Sequence, residues 1–245
     1  ALPLADLFHD RTATEGQPAF DAPLVTVDPE GSVVVIQGTG NTDDLEALRD
    51  NRIASITELL TFDSDGALVD VTGRLNWEVT TGLSEQATGR LQLFDGTVYF
   101  STFQSSTAGT DSCQFGASKI WGVDYIASDG TNANGTNAPQ AAIVDDGGTE
   151  VVSLPPMQNQ LVMGVEIAQQ PSCTVFEEVT VNDPYIGPRT YSQATATNPG
   201  SFQLVAQVSG DGVAASGGTV GEFTRELPRP SAVTRIQGWA GTVRE

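Results

Sequence analysis

Short runs of β-prone residues alternate with turn residues along most of this 245-residue chain, and this pattern limits what the chain can fold into. Two pairs, Asp65-Gly66 and Asp95-Gly96, each lie between two such runs. An Asp-Gly pair in that position is a strong sequence signal for a β-hairpin. A third pair, Asp129-Gly130, follows the run from Lys119 to Ile126 and predicts another turn. The pattern predicts an all-β fold, either β-propeller-like or a β-sandwich.

Strands are predicted along most of the chain, and we expect residues 1–245 to form a single domain. The strand-like runs are 33–36, 53–62, 67–71, 74–79, 90–94, 97–103, 119–126, 141–144, 150–154, 160–169, 173–181, 201–208, 220–227 and 233–243. The polar stretch from Thr131 to Gln140 predicts an exposed loop. Only the segment 42–48 has a weak helical period, which predicts one short helix.

The charge composition excludes several classes of partner. The chain has 31 acidic and 11 basic side chains, a formal net charge of −20, and Lys119 is its only lysine. Phosphate backbones and anionic lipid headgroups would be repelled, because their binding depends on Lys and Arg. We therefore expect neither a nucleic-acid partner nor binding to anionic membranes. No apolar run reaches the roughly 18 residues that a membrane-spanning helix needs.

The two cysteines, Cys113 and Cys173, leave two interpretations open. The composition, with one lysine and many Thr, Ser, Gly and Asn residues, is typical of extracellular proteins. Disulfides persist in that environment, so we expect a bridge between the two cysteines. A pair of buried free thiols is the alternative.

The acidic loop containing Asp63, Asp65 and Asp70 is the best candidate for a metal site. Calcium loops place oxygen ligands at alternate positions, with a glycine at the sharp turn, and Gly66 fits that position. Asp70 follows Gly66 by four residues, and no Glu follows at the spacing of an EF-hand. An ordinary hairpin tip is the alternative interpretation. A second polar cluster, 41–44, is explained equally well by helix capping.

Catalytic patterns are weak in this sequence. His9 is the only histidine, which argues against a zinc site of the usual His/Cys type and against a Ser-His-Asp hydrolase. No spacing identifies a pair of carboxylates for glycoside hydrolysis. The aromatic residues could form a sugar-binding face, but such residues more often fill a core; they are Trp77, Tyr99, Phe100, Phe103, Trp121, Tyr125 and Trp239. The segment Asn134-Gly135-Thr136 is formally a glycosylation sequon. We expect a protein without enzymatic activity.

Four sequence phrases carry a resemblance to a known family. The phrases are Gln-Pro-Ala-Phe-Asp-Ala-Pro at 17–23 with Val-Val-Val-Ile-Gln-Gly-Thr-Gly at 33–40, Asn-Trp-Glu-Val at 76–79 with Gly-Thr-Val-Tyr-Phe-Ser-Thr-Phe at 96–103, Cys-Gln-Phe-Gly-Ala-Ser-Lys-Ile-Trp-Gly-Val-Asp at 113–124, and a weaker match at 163–173. In order and spacing they resemble the C-terminal β-propeller domain of the PilY1/PilC family of type IV pilus tip adhesins. The resemblance covers about residues 17–175, and the C-terminal part of the chain resembles the family poorly.

The resemblance implies a β-propeller and a role at the cell surface or pilus tip. It also implies adhesion, support of pilus assembly and retraction, and calcium as a regulator bound by a loop such as 63–70. The partners would be pilus subunits or other envelope proteins, together with a surface or host ligand. Because 245 residues are few for the family's propeller, we expect a partial ring or a reduced number of blades. The alternatives are a structural subunit of an extracellular filament or layer and a quinoprotein-like propeller enzyme.

Overall fold

The computed structural model describes residues 18–45, 51–106, 116–169, 173–183, 185, 187–198, 201–210, 221–228 and 230. All regular secondary structure in these ranges is β-strand, which confirms the predicted all-β class. The strands are β1 (Leu24–Val27), β2 (Val33–Gly38), β3 (Arg52–Phe62), β4 (Leu68–Thr80), β5 (Glu85–Ala87), β6 (Gln92–Phe94), β7 (Thr97–Ser105), β8 (Gly116–Thr131), β9 (Asn137–Ala141), β10 (Ile143–Val144), β11 (Glu150–Val151), β12 (Met157–Gln158), β13 (Gln160–Val162), β14 (Glu166–Gln169), β15 (Cys173–Asp183), β16 (Gly187–Asn198), β17 (Phe202–Gly210) and β18 (Gly221–Leu227).

The chain divides into two compact units. The first unit consists of residues 1–166 and 205–223, and the second consists of residues 167–204 and 224–245. In the second unit, β15 and β16 pair antiparallel along their whole length into a two-stranded ribbon, with one irregularity between Val175 and Phe176. In the first unit, β13 pairs antiparallel with the end of β17, Val162 opposite Val208.

The first sheet of the first unit is an antiparallel meander in the order β1-β2-β3-β4. Val34 pairs with Thr57, and Ile53 pairs with Val79, so each strand is the neighbour of the next in sequence. In β2, fully or largely buried residues alternate with half-buried ones. This alternation follows from the two-residue period of a strand, which turns successive side chains to opposite faces.

The second sheet has the order β12-β8-β7-β5, and in addition β6 pairs with β7 and β9 pairs with β8. The predicted turn at Asp95-Gly96 is confirmed, since it joins β6 to β7. Both residues have positive φ angles, 47° and 80°. A two-residue hairpin loop of type I′ requires positive φ at both of its central positions.

One apolar core lies between these two sheets. Its buried members are Val34, Ile36, Ile53, Trp77 and Val79 from the first sheet, with Leu91, Val98, Phe100 and Val123 from the second sheet and its loops. Each sheet thereby removes one face from water, which is the main favourable contribution to folding. Trp77, Tyr99, Phe100 and Phe103 are all buried. Their interpretation as core residues is thus confirmed, and Trp239 lies outside the described residues.

The predicted turn at Asp129-Gly130 is wrong. Strand β8 continues through this pair to Thr131, and Gly130, with φ +74°, lies in an irregular stretch of the pairing with β9. The hairpin turns instead at residues 132–136, so the predicted loop 131–140 is also wrong in its second half, which forms β9. The sequence signal failed because a glycine with positive φ serves a bulge as well as it serves a turn.

The predicted helix at 42–48 lies partly outside the described residues. Its described part forms turns, with the Asp44 amide donating to the Asn41 carbonyl at 3.0 Å. The side-chain oxygen of Asn41 accepts a bond from the Asp43 amide at 3.1 Å. Asn41 therefore caps a turn in the described part.

No sheet closes on itself in the part of the chain that the structure describes, so the propeller stays a prediction.

Candidate functional site

Four hairpin tips share one five-residue design. They are residues 28–32, 63–67, 132–136 and 145–149. In each tip, the backbone amide of the first residue donates a hydrogen bond to the backbone carbonyl of the fifth residue. The fourth residue is always glycine with positive φ: Gly31 at 92°, Gly66 at 80°, Gly135 at 85° and Gly148 at 81°. Three of the tips begin with Asp, whose carboxylate accepts bonds from the backbone amides two and four residues later. Asp at the first position and Gly at the fourth form the sequence signal of this tip.

The predicted metal ligands belong to one of these tips. The Oδ1 atom of Asp63 accepts bonds from the amides of Asp65 at 2.9 Å and Ala67 at 2.8 Å. Asp70 lies on β4 opposite Thr61, and its Oδ1 accepts a bond from the Val71 amide. Among the described residues, no three His, Cys, Asp or Glu side chains form a group that could hold a metal ion. The turn therefore explains Asp63 without an ion, and calcium binding by this loop stays a prediction.

The only lysine of the chain, which is half-buried, forms an ion pair with a buried carboxylate that the sequence analysis missed. The Nζ atom of Lys119 on β8 lies 3.0 Å from Oε2 and 3.2 Å from Oε1 of Glu85 on β5. Glu85 is 3% exposed. The hydroxyl of Thr102 on β7, the strand between them, donates to Oε1 of Glu85 at 2.6 Å. The carboxylate thus has a partner on each of two neighbouring strands.

Trp121 completes this group, which we call the Glu85 centre (Glu85, Thr102, Lys119 and Trp121). Its indole N–H donates to the Thr102 hydroxyl at 2.9 Å. The lysine ammonium lies 5.6 Å from the centroid of the indole ring, within the range of a cation–π interaction. The other face of the group reaches the core, because Trp121 stacks on Phe100 with ring centroids 5.7 Å apart. The Glu85 centre therefore ties three strands of the second sheet to the core.

Ser84, next to Glu85, has an unusual conformation. Its φ angle is +62°, it is fully buried, and its hydroxyl has no hydrogen-bond partner. A tight turn holds it there: the Glu85 amide donates to the Gly82 carbonyl at 2.8 Å, and the Gly82 amide donates to Oε2 of Glu85 at 3.3 Å. Positive φ is costly for a residue with a side chain. The bonds of Glu85 stabilise this strained turn.

The outer half of the β3–β4 hairpin exposes a set of apolar side chains. We call residues 58–73 the arm; in the described pairings, its strand residues pair only with each other, because β2 ends its pairing with β3 at Thr57. The exposed apolar side chains of the arm are Leu59, Leu60, Phe62, Leu68 and Val69, with exposures between 40% and 61%. These side chains lie on both faces of the ribbon, because successive residues of a strand point to opposite faces, and exposed apolar surface of this kind often marks an interaction site. The arm is therefore the candidate functional surface.

The phenol of Tyr125 makes the free energy of unfolding vary with pH in the alkaline range. Burial raises its pKa above the ordinary value of 10.0, and the carboxylates of Asp124 and Asp28 raise it further. The folded state thus holds this proton more tightly than the unfolded chain does, so the contribution to stability is full below pH of about 10 and is lost as the pH rises through the folded pKa.

We expect the free energy of unfolding to fall above pH 10, and to fall less steeply in Tyr125→Phe. Urea unfolding followed by fluorescence at a series of alkaline pH values measures both slopes. Tyr185→Phe, at a side chain that is 94% exposed, is the matched control and should retain the steeper slope. Equal slopes in Tyr125→Phe and the parent chain would contradict the expectation.

Two other candidates lie wholly or partly outside the described residues. Cys113 and His9 are not described, and Cys173 is described only as the first residue of β15, so the disulfide stays a prediction. In the described residues, no helix is long and apolar enough to cross a membrane.

Comparisons with protein-family models, with curated proteins and with solved structures found no match for this chain.

Proposed function

We propose that this chain is a non-enzymatic extracellular surface protein that acts in adhesion, as type IV pilus tip adhesins do. The observation that carries the proposal is the arm, where apolar side chains on a two-stranded ribbon face water. Phe62 is 56% exposed and Val69 is 61% exposed. A partner can contact apolar side chains that already face water without any part of the chain having to unfold.

Lys119 and Glu85 are engaged in bonds within the fold, which favours a binding role over a catalytic one. The only lysine is paired with Glu85 at 3.0 Å, and another ion pair, between Arg52 and Glu78 at 3.8 Å, also lies inside the first unit. The Glu85 carboxylate is engaged by Thr102, Lys119 and Gly82. A group whose bonds are filled within the fold serves stability, whereas a catalytic group needs access to a substrate.

For the architecture, we propose that the β1–β4 sheet is a propeller blade. A blade is a four-stranded sheet, and the antiparallel order β1-β2-β3-β4 fits that description. The second sheet, packed against it through the shared core, would then belong to a neighbouring blade. A crystal structure of the purified chain tests this: further sheets around a central axis support the propeller, and two sheets alone give the β-sandwich.

The function is tested with intact cells of the source organism and a strain that lacks the gene. We expect antibodies against the purified chain to label intact cells, and we expect the deletion strain to attach less to surfaces. Complementation with the parent chain should restore attachment, and the double variant Leu60→Thr/Phe62→Thr should not. Threonine keeps the β propensity of the arm while removing apolar surface.

The matched control is Val25→Thr/Val27→Thr on the edge strand β1, where the valines are 59% and 57% exposed. This control should restore attachment fully. Labelling only after permeabilisation, or normal attachment of the deletion strain, would overturn the proposal.

Attachment measured with and without calcium tests the calcium prediction. Electron microscopy for self-assembled fibres tests the alternative of a filament subunit, and a near-ultraviolet absorbance band tests the alternative of a quinone enzyme.

A further inference from the structure

One of the four hairpin tips is built from asparagines and contacts another strand. At the tip 132–136, Asn takes the place of the first Asp, and its side-chain amide donates to the Glu78 carbonyl on β4. The side-chain amide of Asn137 donates to the Asn76 carbonyl at 3.2 Å, and that of Asn134 donates to the Thr80 hydroxyl at 2.9 Å.

We call these three asparagines the asparagine clasp (Asn132, Asn134 and Asn137). Strand β4 is the last strand of its sheet, so its outer carbonyls have no neighbouring strand to bond. Asn132 and Asn137 supply N–H donors to two of these carbonyls in place of a strand, which satisfies backbone acceptors that an edge leaves unpaired. A carboxylate has no donor in its ionised form, which explains why this tip begins with Asn whereas the other three begin with Asp.

We propose that Asn134 is a site of spontaneous deamidation, and that the tip itself promotes the reaction. Asn134 is the only asparagine followed by glycine in the sequence. Glycine has no side chain to hinder attack by its own backbone nitrogen. No other residue comes within 4 Å of the position where a Gly135 side chain would begin, and both Asn134 and Gly135 are exposed.

The hydrogen bonds of the tip favour the transition state of this reaction. Thr136 donates to the side-chain carbonyl oxygen of Asn134 twice, from its amide at 3.3 Å and from its hydroxyl at 2.8 Å. Negative charge develops on this oxygen when a nucleophile attacks the amide carbon. Donors already aimed at such an oxygen stabilise the charge, as in an oxyanion hole.

The reaction needs only the chain and water. The backbone nitrogen of Gly135 loses its proton and forms a bond to Cγ of Asn134, the Cγ–Nδ2 bond breaks, and ammonia leaves with that proton. Water then opens the resulting succinimide ring to aspartate or isoaspartate. Before attack, the Gly135 amide must release the Asn132 carbonyl, which it bonds at 2.9 Å. Exposed tips open locally at low cost.

The modification would loosen the clasp. Isoaspartate inserts one extra carbon into the main chain between positions 134 and 135, so the two backbone bonds that close the tip no longer fit. Those bonds hold Asn132, whose side chain reaches the Glu78 carbonyl. The edge of β4 would lose part of its cover, and the surface would gain one negative charge.

The experiment is incubation of the purified full chain at mildly alkaline pH, with peptide mapping by mass spectrometry over time. We expect Asn134 to exchange its amide for a carboxyl group severalfold faster than Asn132, Asn137 or any other asparagine. Detection of the succinimide as an intermediate that has lost ammonia is expected at the same position. Conversion of Asn134 no faster than that of Asn132 would overturn the proposal.

Two variants separate the contribution of the tip from that of the Asn-Gly sequence. Thr136→Val removes the hydroxyl donor and should slow conversion severalfold in buffer, with equal rates for both chains in urea, where the tip is lost. An equal rate in buffer would overturn the role of Thr136. Asn134→Gln should remove the fast conversion. Hydrogen exchange of the β4 amides, compared between fresh and converted protein, should increase at residues 76–80; unchanged exchange would overturn the loosening of the clasp.

Discussion

The variant Lys119→Met is expected to lose about 3 kcal/mol of its free energy of unfolding, because it leaves the Glu85 carboxylate buried without its charged partner. Glu85 is 3% exposed, so its carboxylate depends mainly on partners within the fold. Thr102 and the Gly82 amide would still donate to the carboxylate. The expected loss is at the low end for a broken buried pair, because the lysine side chain is itself 29% exposed. Urea unfolding at neutral pH measures it.

The matched control for this prediction is the double variant Glu85→Gln/Lys119→Met. It removes both charges while keeping a carbonyl acceptor for the Thr102 hydroxyl. Replacing a whole buried ion pair by neutral groups costs much less than removing one partner. The double variant should therefore be more stable than Lys119→Met alone. If the two were equally unstable, the loss would come from lost packing against Trp121 and not from the stranded charge.

The sequence predicted the hairpins best where the turn itself determines their form. Asp95-Gly96 forms the predicted two-residue turn because both of its residues adopt the positive φ that this turn requires. Asp65-Gly66 also lies at a tip, but as the third and fourth residues of a five-residue loop that Asp63 organises. Asp129-Gly130 lies in a bulge of β8. The same dipeptide thus serves three backbone geometries, and the pairing of the flanking strands decides among them.

The Glu85 centre could not be predicted, because its bonds join residues far apart in sequence. Glu85 and Lys119 are separated by 34 residues, and Trp121 and Thr102 by 19. The only local signal was that Lys119 is unique in the chain. The acidic residues 63–70 were prominent in the sequence because they are close together. In the structure, Asp63 closes a local turn, whereas Glu85 on β5 bonds residues on two other strands. Acidic residues that are close together in the sequence therefore marked a turn, and the site formed by residues far apart in the sequence was missed.

Two loops of the first unit approach each other closely at Gly89 and Gly164. A side-chain carbon built at Gly89 would lie 2.6 Å from the Cα atom of Gly164 and 2.9 Å from its nitrogen. Both glycines have positive φ, 87° and 91°. The bonds on either side need this approach: the Thr88 hydroxyl donates to the Val162 carbonyl at 2.6 Å, and the Gly164 amide donates to the Ser101 hydroxyl at 3.0 Å.

The variant Gly89→Ala is therefore expected to lose about 3 kcal/mol, from roughly 1–2 kcal/mol of backbone strain at positive φ plus the cost of overpacking. The obstacle is backbone, which cannot rotate away as a flexible side chain could. Gly66→Ala separates the two causes, because Gly66 has a similar φ of 80° but no neighbour within 4 Å of the added carbon. It should lose only the strain contribution. The two variants are compared by urea unfolding at equal protein concentration. Equal losses would mean that the loops separate at little cost, whereas a larger loss in Gly89→Ala together with faster hydrogen exchange at Val162 and Gly164 would show that this approach stabilises the first unit.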